Sequence, residues 1–308
     1  MSLRGAYLLL GAIILLWGSN WPIMKIGLDE GIPPFWFAVS RLFLGMVTLL
    51  ALLAALGRIS LPRRSDLPVI FTVGLLQVAL FLGAINFALQ YVEAGRSSVL
   101  AYTTPLWVAP AAILILGERP SRLKVGGLLL GLAGLIALFN PLALDWSDPD
   151  VVTGNLILML AAVGWAIAIL HVRGHRWSSS VLQVIPWQMM VALVPLTALA
   201  LIFEGDYRPD LSTKAWVVIA YNGPIATGFC YWATITVTRS LPAISTSLGL
   251  LGVPLVGVGS SALLLGEALT PSLLMGLLGI VAGLALVNMA DLRAQPDTMG
   301  KRDQSAEK

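Results

Sequence analysis

Polar residues interrupt this chain only in short clusters, and between the clusters lie long apolar runs. Ten of these runs approach or exceed the ~20 residues a helix needs to cross the hydrocarbon core of a bilayer. They are 5–28, 34–56, 67–91, 96–116, 123–140, 151–172, 180–204, 214–238, 242–265 and 271–290. Lipid supplies no partners for exposed backbone groups, so the runs predict helices rather than strands. The last stretch, 291–308, is polar throughout and predicts a disordered tail. Residues 5–28 follow Arg4 as a signal peptide would, but nine more apolar runs come after them. No small-x-small cleavage site precedes Ile32-Pro33-Pro34, so an uncleaved first span is expected.

Two runs are near copies of each other. Residues 94–118 read AGRSSVLAYTTPLWVAPAAILILGE and residues 243–267 read AISTSLGLLGVPLVGVGSSALLLGE. Aligned without a gap they share 8 of 25 residues, among them Pro105/Pro254, Gly117/Gly266 and Glu118/Glu267. The same offset of 149 carries Gly127 onto Gly276 and Gly134 onto Gly283. Internal duplication of this kind characterises transporter folds. The chain therefore divides into a first five-helix repeat, 1–145, a second, 146–290, and the tail, 291–308.

Composition fits the pattern. The chain is 57% hydrophobic and 11% charged, with mean hydropathy +0.87, against about 25% charged in soluble domains. This is an integral membrane protein. Its net charge of +3 is no nucleic-acid signal, because the basic residues gather in short loops. Placing the N-terminus in the cytoplasm puts fourteen Lys and Arg on that side, including Arg63, Arg64, Arg122, Arg173 and Arg239. Only Arg96, Arg208 and Lys214 fall outside. Both termini are expected in the cytoplasm. Five spans per half then set the halves in opposite senses, which makes the fold an all-α bundle of ten transmembrane helices in two inverted repeats around a central cavity. The single cysteine, Cys230, lies in an apolar run and offers neither a disulfide nor a zinc cluster.

Candidate chemistry is sparse. Pro105 and Pro254 fall mid-span and free the carbonyls of Ala101 and Leu250, either as tolerated kinks or as paired kinks lining a cavity. Tyr102, Thr103, Thr104 and Trp107 crowd the first proline, whereas Gly249, Gly252, Gly257 and Gly259 surround the second. Two walls of that kind suit an organic solute, or the glycines serve close packing. Trp17, Asn20, Trp21 and Met24 follow helical spacing on the first span, and Asn20 is polar at membrane depth. Gln77 and Phe81 share a face of the third span, Trp165 and His171 lie on the sixth, and Tyr231 and Trp232 on the eighth. Trp21, Trp36, Trp146, Trp177 and Trp216 read as an aromatic belt at the interfaces. Trp17, Trp107, Trp165, Trp187 and Trp232 lie deeper, where packing and a π-lined cavity are both open readings.

Arg41 lies about two turns into the second span and either snorkels or makes a buried structural contact; its repeat counterpart is approximately Gln188. Lys25 reads as snorkelling at a helix end. His171 and His175 have i, i+4 spacing but no third ligand, so no metal site is expected. Asp145, Asp148 and Asp150 in DWSDPD read as a solvated loop. No Asp or Glu occupies the core of a predicted span, which points to gradient-driven facilitated transport rather than proton coupling. The G-x-x-x-G pairs Gly127/Gly131 and Gly279/Gly283 predict close helix packing within the bundle.

LLWGSNWP at 15–22, AVSRLFLG around Arg41, YVEAGRSSVLAYTTPLWVAPAAILILGERPS at 91–121 and LGVPLVGVGSSALLLGEALT at 251–270 resemble the drug/metabolite transporter superfamily. The likeness covers residues 5–290 and is to its ten-helix EamA-type exporters, most of all the aromatic-amino-acid exporters. The resemblance implies a central cavity bounded mainly by helices 1, 3, 4, 6, 8 and 9, in the bacterial inner membrane. Carried onto this chain, it selects Trp17, Asn20, Gln77, Phe81, Tyr102, Trp107, Trp165, His171, Tyr231 and Trp232 for the substrate. The expectation is a monomeric carrier with no cofactor, no metal and no enzymatic activity. It exports amino acids by alternating access, aromatic and large apolar ones above all. Export of nucleobases, sugar derivatives or drugs is the rival reading. A membrane-embedded enzyme is the more distant one.

Overall fold

The computed structural model describes residues 1–139, 147–207, 210–269 and 271–293. Helices occupy the positions that hydropathy predicts. α1 is Leu3–Asp29, α2 Pro34–Ala55 and α3 Arg64–Ala88. α4 comes in two segments, Ala94–Ala101 and Thr104–Leu116. α5 is Arg122–Phe139, α6 Pro149–Gly174 and α7 Val181–Phe203. α8 runs through Thr213–Tyr221, Asn222–Phe229 and Cys230–Ser240. α9 is split into Ala243–Gly249 and Gly252–Leu265, and α10 is Pro271–Arg293. Among the described residues no strand occurs. Seven of these helices (α1 to α4, α6, α7 and α9) are long and apolar enough to cross a membrane. Arg208, the first two residues of the DWSDPD motif and 294–308, most of the predicted tail, lie outside the described residues, as does Trp146.

Local chemistry sets the ends. Pro34 opens α2, where a missing N–H costs nothing. Ser180 and Gln183 form a capping box on α7. Gly117 and Gly266 close α4 and α9 with φ of 66° and 71°, the left-handed conformation that favours glycine.

The internal duplication is visible in backbone irregularities. Val73–Leu80 in α3 and Asn222–Phe229 in α8 are π-helical, 149 residues apart at both ends (222 − 73 and 229 − 80). α4 and α9 each break just before their repeated proline. At the first break the carbonyl that Pro105 frees, on Ala101, accepts the Thr104 hydroxyl at 3.4 Å. At the second, the Val253 N–H donates to the Leu250 carbonyl at 3.0 Å.

Packing follows small residues. α5 and α10 lie against each other so closely that a Cβ on Gly127 would stand 2.7 Å from the Gly283 carbonyl oxygen. One on Gly134 would stand 2.6 Å from that of Gly276. The G-x-x-x-G faces thus meet within the molecule. The π stretch of α8 rests on α2 through Gly223 and Gly45, and that of α3 rests on α7 through Gly74 and the backbone of Gln188. Both π stretches are thereby pressed towards the centre of the bundle.

Candidate functional site

Aromatic side chains from five helices converge at the middle of the bundle. Trp17 of α1 stands edge-on to Trp165 of α6 at 5.4 Å and to Tyr231 of α8 at 5.6 Å. Phe81 of α3 lies 4.3 Å from Trp165, and Tyr102 of α4 is 6.5 Å from both Phe81 and Trp21. Rings at these separations attract one another edge to face. Trp17, Trp21, Phe81, Tyr102 and Tyr231 line a cavity of about 20 Å³ together with Asn20, Met24 and Arg41. A space of ~10–15 Å³ holds one water, so in this arrangement the cavity is too small for an organic solute.

The two π stretches hold the rings in place. A π turn shifts the hydrogen-bond ladder and leaves carbonyls available to side chains. The Trp17 Nε1–H donates to the Ala226 carbonyl at 2.7 Å, and the Tyr231 hydroxyl donates to the Gln77 carbonyl at 3.2 Å. Ala226 lies in one π stretch and Gln77 in the other. Trp17 and Tyr231 are thus each tied to an element of the opposite half.

Arg41 enters from α2. It is 2% exposed, so it does not snorkel. Its Nε donates to Thr227 Oγ1 at 3.0 Å, one NH group donates to Met24 Sδ at 2.8 Å, and the guanidinium lies 5.9 Å from the Phe37 ring centre. Among the described residues no carboxylate pairs with it. Its approximate repeat counterpart, Gln188, is fully buried, and both its amide atoms lack partners. Neither Arg41 nor Trp21 stands among the sequence candidates. Trp21, read as belt, is 2% exposed and lines the cavity. The available signal was the stripe Phe37, Arg41, Gly45 at i, i+4, which puts Arg41 one turn from a glycine that admits α8.

Five of the sequence candidates, Trp17, Asn20, Phe81, Tyr102 and Tyr231, line the cavity, and Trp165 closes it from behind Phe81. Gln77 is 1% exposed, with both amide atoms unpartnered and its carbonyl serving Tyr231. Asn20 Oδ1 likewise lacks a partner. Three candidates lie elsewhere. Trp107 is 39% exposed on the flank of α4. Trp232 packs at a tilt against Phe229, ring centres 5.7 Å apart. His171 sits near the end of α6, its Nδ1 2.9 Å from Thr72 Oγ1. Pro105 and Pro254 occupy the first turns after the breaks and are buried. α9 contributes nothing to the lining: Gly249 and Gly252 receive Leu10 and Ile14 of α1, and Gly257 receives Ser98 and Trp21.

The bundle's basic end is tied by charge and hydrogen bonds. His175 Nε2 lies 3.1 Å from Asp66 Oδ1, which also accepts the Ser178 N–H at 3.0 Å. Arg239 covers the Trp177 ring at 4.5 Å. The Glu118 carboxylate accepts the N–H groups of Ala243 and Ile244 at 2.6 and 3.2 Å, which caps α9 from the end of α4. At the other end Glu204 does the same for Phe35 and Trp36 of α2, both at 2.9 Å. An open groove of about 530 Å³ lies there, walled by Phe35, Phe87, Tyr91 and Glu204.

Two stretches of the chain, 3–140 and 152–289, match the sequence profile of the EamA-like transporter family. The chain belongs to that family. It is a multi-pass membrane protein of a transporter family. It is 29% identical to the uncharacterized transporter YoaV of Bacillus subtilis, over 89% of this chain and 93% of that one. It is 26% identical to a protein of Escherichia coli named "Probable amino-acid metabolite efflux pump", covering 91% and 93%. A protein of Streptantibioticus cattleyicolor named "Probable terminal-alkyne amino-acid exporter" is 28% identical over 98% and 100%. A solved crystal structure superposes with a TM-score of 0.72 at 21% identity, over 96% of this chain and 100% of the other; that likeness concerns the fold alone.

Proposed function

We propose that this EamA-family protein exports amino acids, aromatic and large apolar ones above all, from the central cavity by alternating access. The observation that carries the reading is the cluster of Trp17, Phe81, Tyr102 and Tyr231, drawn from both halves of the chain around one small space, with Trp165 packed against three of these rings. Two relatives named for amino-acid export support the substrate class. The halves are 1–145 and 146–290, inverted repeats of five helices each, and their paired π stretches and broken helices support that division. The positive-inside rule sets both termini in the cytoplasm of a bacterial inner membrane.

In the mechanism, a solute enters when the two halves part on one side. Its side chain lies against aromatic faces, and its polar end meets the unpartnered groups Asn20 and Gln77. A cavity with room for one water is then the closed intermediate through which the carrier passes. Release follows when the halves part on the other side. The carrier works as a monomer without a cofactor, down the gradient of its solute.

Counterflow in proteoliposomes across the twenty amino acids tests this. Aromatic and large apolar amino acids exchange in the wild type, and Trp165→Ala cuts their exchange at least about tenfold, because it removes the ring against which Trp17, Phe81 and Tyr231 pack. Exchange of nucleobases or sugars but of no amino acid would overturn the substrate class.

A further inference from the structure

Among the described residues, Arg41 is a cation at the centre of this bundle with no protein anion paired to it. Arg41 is 2% exposed, lines the small central cavity, and has two hydrogen bonds, to Thr227 Oγ1 and Met24 Sδ. Both acceptors are neutral, whereas a guanidinium carries five N–H donors in a planar fork shaped for a carboxylate. A neutral side chain of similar reach would join α2 to α8 as well, without placing a charge in lipid-like surroundings. Such charges inside membranes face cavities and mark the path of a solute. The same cavity wall carries Asn20, whose Oδ1 is buried without a hydrogen-bond partner. An acceptor of that kind suits an ammonium N–H.

We infer that Arg41 binds the carboxylate of the transported solute, while Asn20 accepts from its ammonium group and the aromatic ring holds its side chain. This rests on the amino-acid reading above and adds the residue that tells an acid from its amide. The carboxylate replaces water at the guanidinium as the cavity closes, while the ammonium of the same solute keeps the net charge of the occupied site at +1 and donates its hydrogen bond to Asn20 instead.

The test is counterflow of labelled L-phenylalanine with the full-length protein, competed by unlabelled phenylalanine, phenylalaninamide and 3-phenylpropionate. Wild-type protein prefers phenylalanine over its amide by about tenfold or more, the worth of a charge-assisted pair. Arg41→Gln exchanges the two equally, and Arg41→Lys is intermediate because it keeps the charge but loses the fork. A second readout needs no variant: 3-phenylpropionate, and not 3-phenylpropionamide, raises the melting temperature of the detergent-solubilised wild type and quenches its tryptophan fluorescence. An amide that competes as well as the acid in wild type overturns the inference. So does a folded Arg41→Gln protein that still prefers the acid. The two proposals fail separately. No exchange of any amino acid, with stabilisation by 3-phenylpropionate intact, removes amino-acid export and leaves the carboxylate site standing. Amino-acid exchange indifferent to the carboxylate does the reverse.

Discussion

Tyr231 shows how one side chain serves two purposes in this bundle. Its ring is a wall of the cavity, 5.6 Å from Trp17, and its hydroxyl ties α8 to the Gln77 carbonyl on α3. Tyr231→Phe keeps the ring and removes only the tie. Interhelical hydrogen bonds in membranes average about 0.6 kcal/mol, so this variant is expected to melt only slightly lower in a thermal-shift assay, with amino-acid exchange retained. Trp17→Phe also loses a bond, the one from its Nε1–H to Ala226, and leaves a gap where the larger ring lay. It is expected to be the more damaging of the two in the same assay. The residue scale is also where sequence reading was least complete. Trp17, Asn20, Phe81, Tyr102, Trp165 and Tyr231 were legible as aromatic or polar residues at membrane depth. Arg41 and Trp21 were legible as residues but not as cavity residues, because depth says nothing of the direction in which a side chain points.

At the scale of elements, close approach of helices decides stability. Gly127 and Gly126 are neighbours on α5, yet only Gly127 faces α10; a Cβ on Gly126 would meet nothing within 4 Å. Gly127→Leu is therefore expected to lower the melting temperature and the yield of monodisperse protein. Gly126→Leu should leave both within error of wild type; equal effects would remove the packing account. A second link joins the start of α8 to the end of α1. Ser212 Oγ–H donates to Glu30 at 2.6 Å and Lys214 pairs with it at 2.9 Å, and the two together hold the Glu30 carboxyl below its ordinary value of 4.5. A carboxyl whose folded value is depressed adds stability above its unfolded value and loses it as pH falls through the folded one. Acid melting curves of Glu30→Gln should accordingly converge with those of wild type as pH falls below 4.5 and through the lower folded value, and differ most at neutral pH. The proline breaks belong to this scale too. Their existence in both halves could be read from the repeat, but the capture of the Ala101 carbonyl by Thr104 could not.

At the scale of the whole molecule, the end of α4 and the end of α9 are repeat equivalents, and the proposed inversion would set them on opposite faces of the membrane. With Cys230→Ser removing the one native thiol, Arg119→Cys and Ala268→Cys are both exposed at those ends. A membrane-impermeant maleimide is expected to label Ala268→Cys from outside intact cells and Arg119→Cys only after permeabilisation. Labelling of both from one side would defeat the inverted arrangement and the carrier mechanism together.

By itself the sequence determined that this is a membrane-embedded helical chain, where each helix lies and which parts are duplicated. Those features depend on hydropathy, proline and glycine, whose effects are local along the chain. Tertiary structure alone decided which face of each helix looks inward. In lipid the surroundings are as apolar as the protein interior, so no hydrophobic stripe marks the buried face. Only packed neighbours reveal it, and they turned Arg41 and Trp21 towards the cavity and Trp107 away from it.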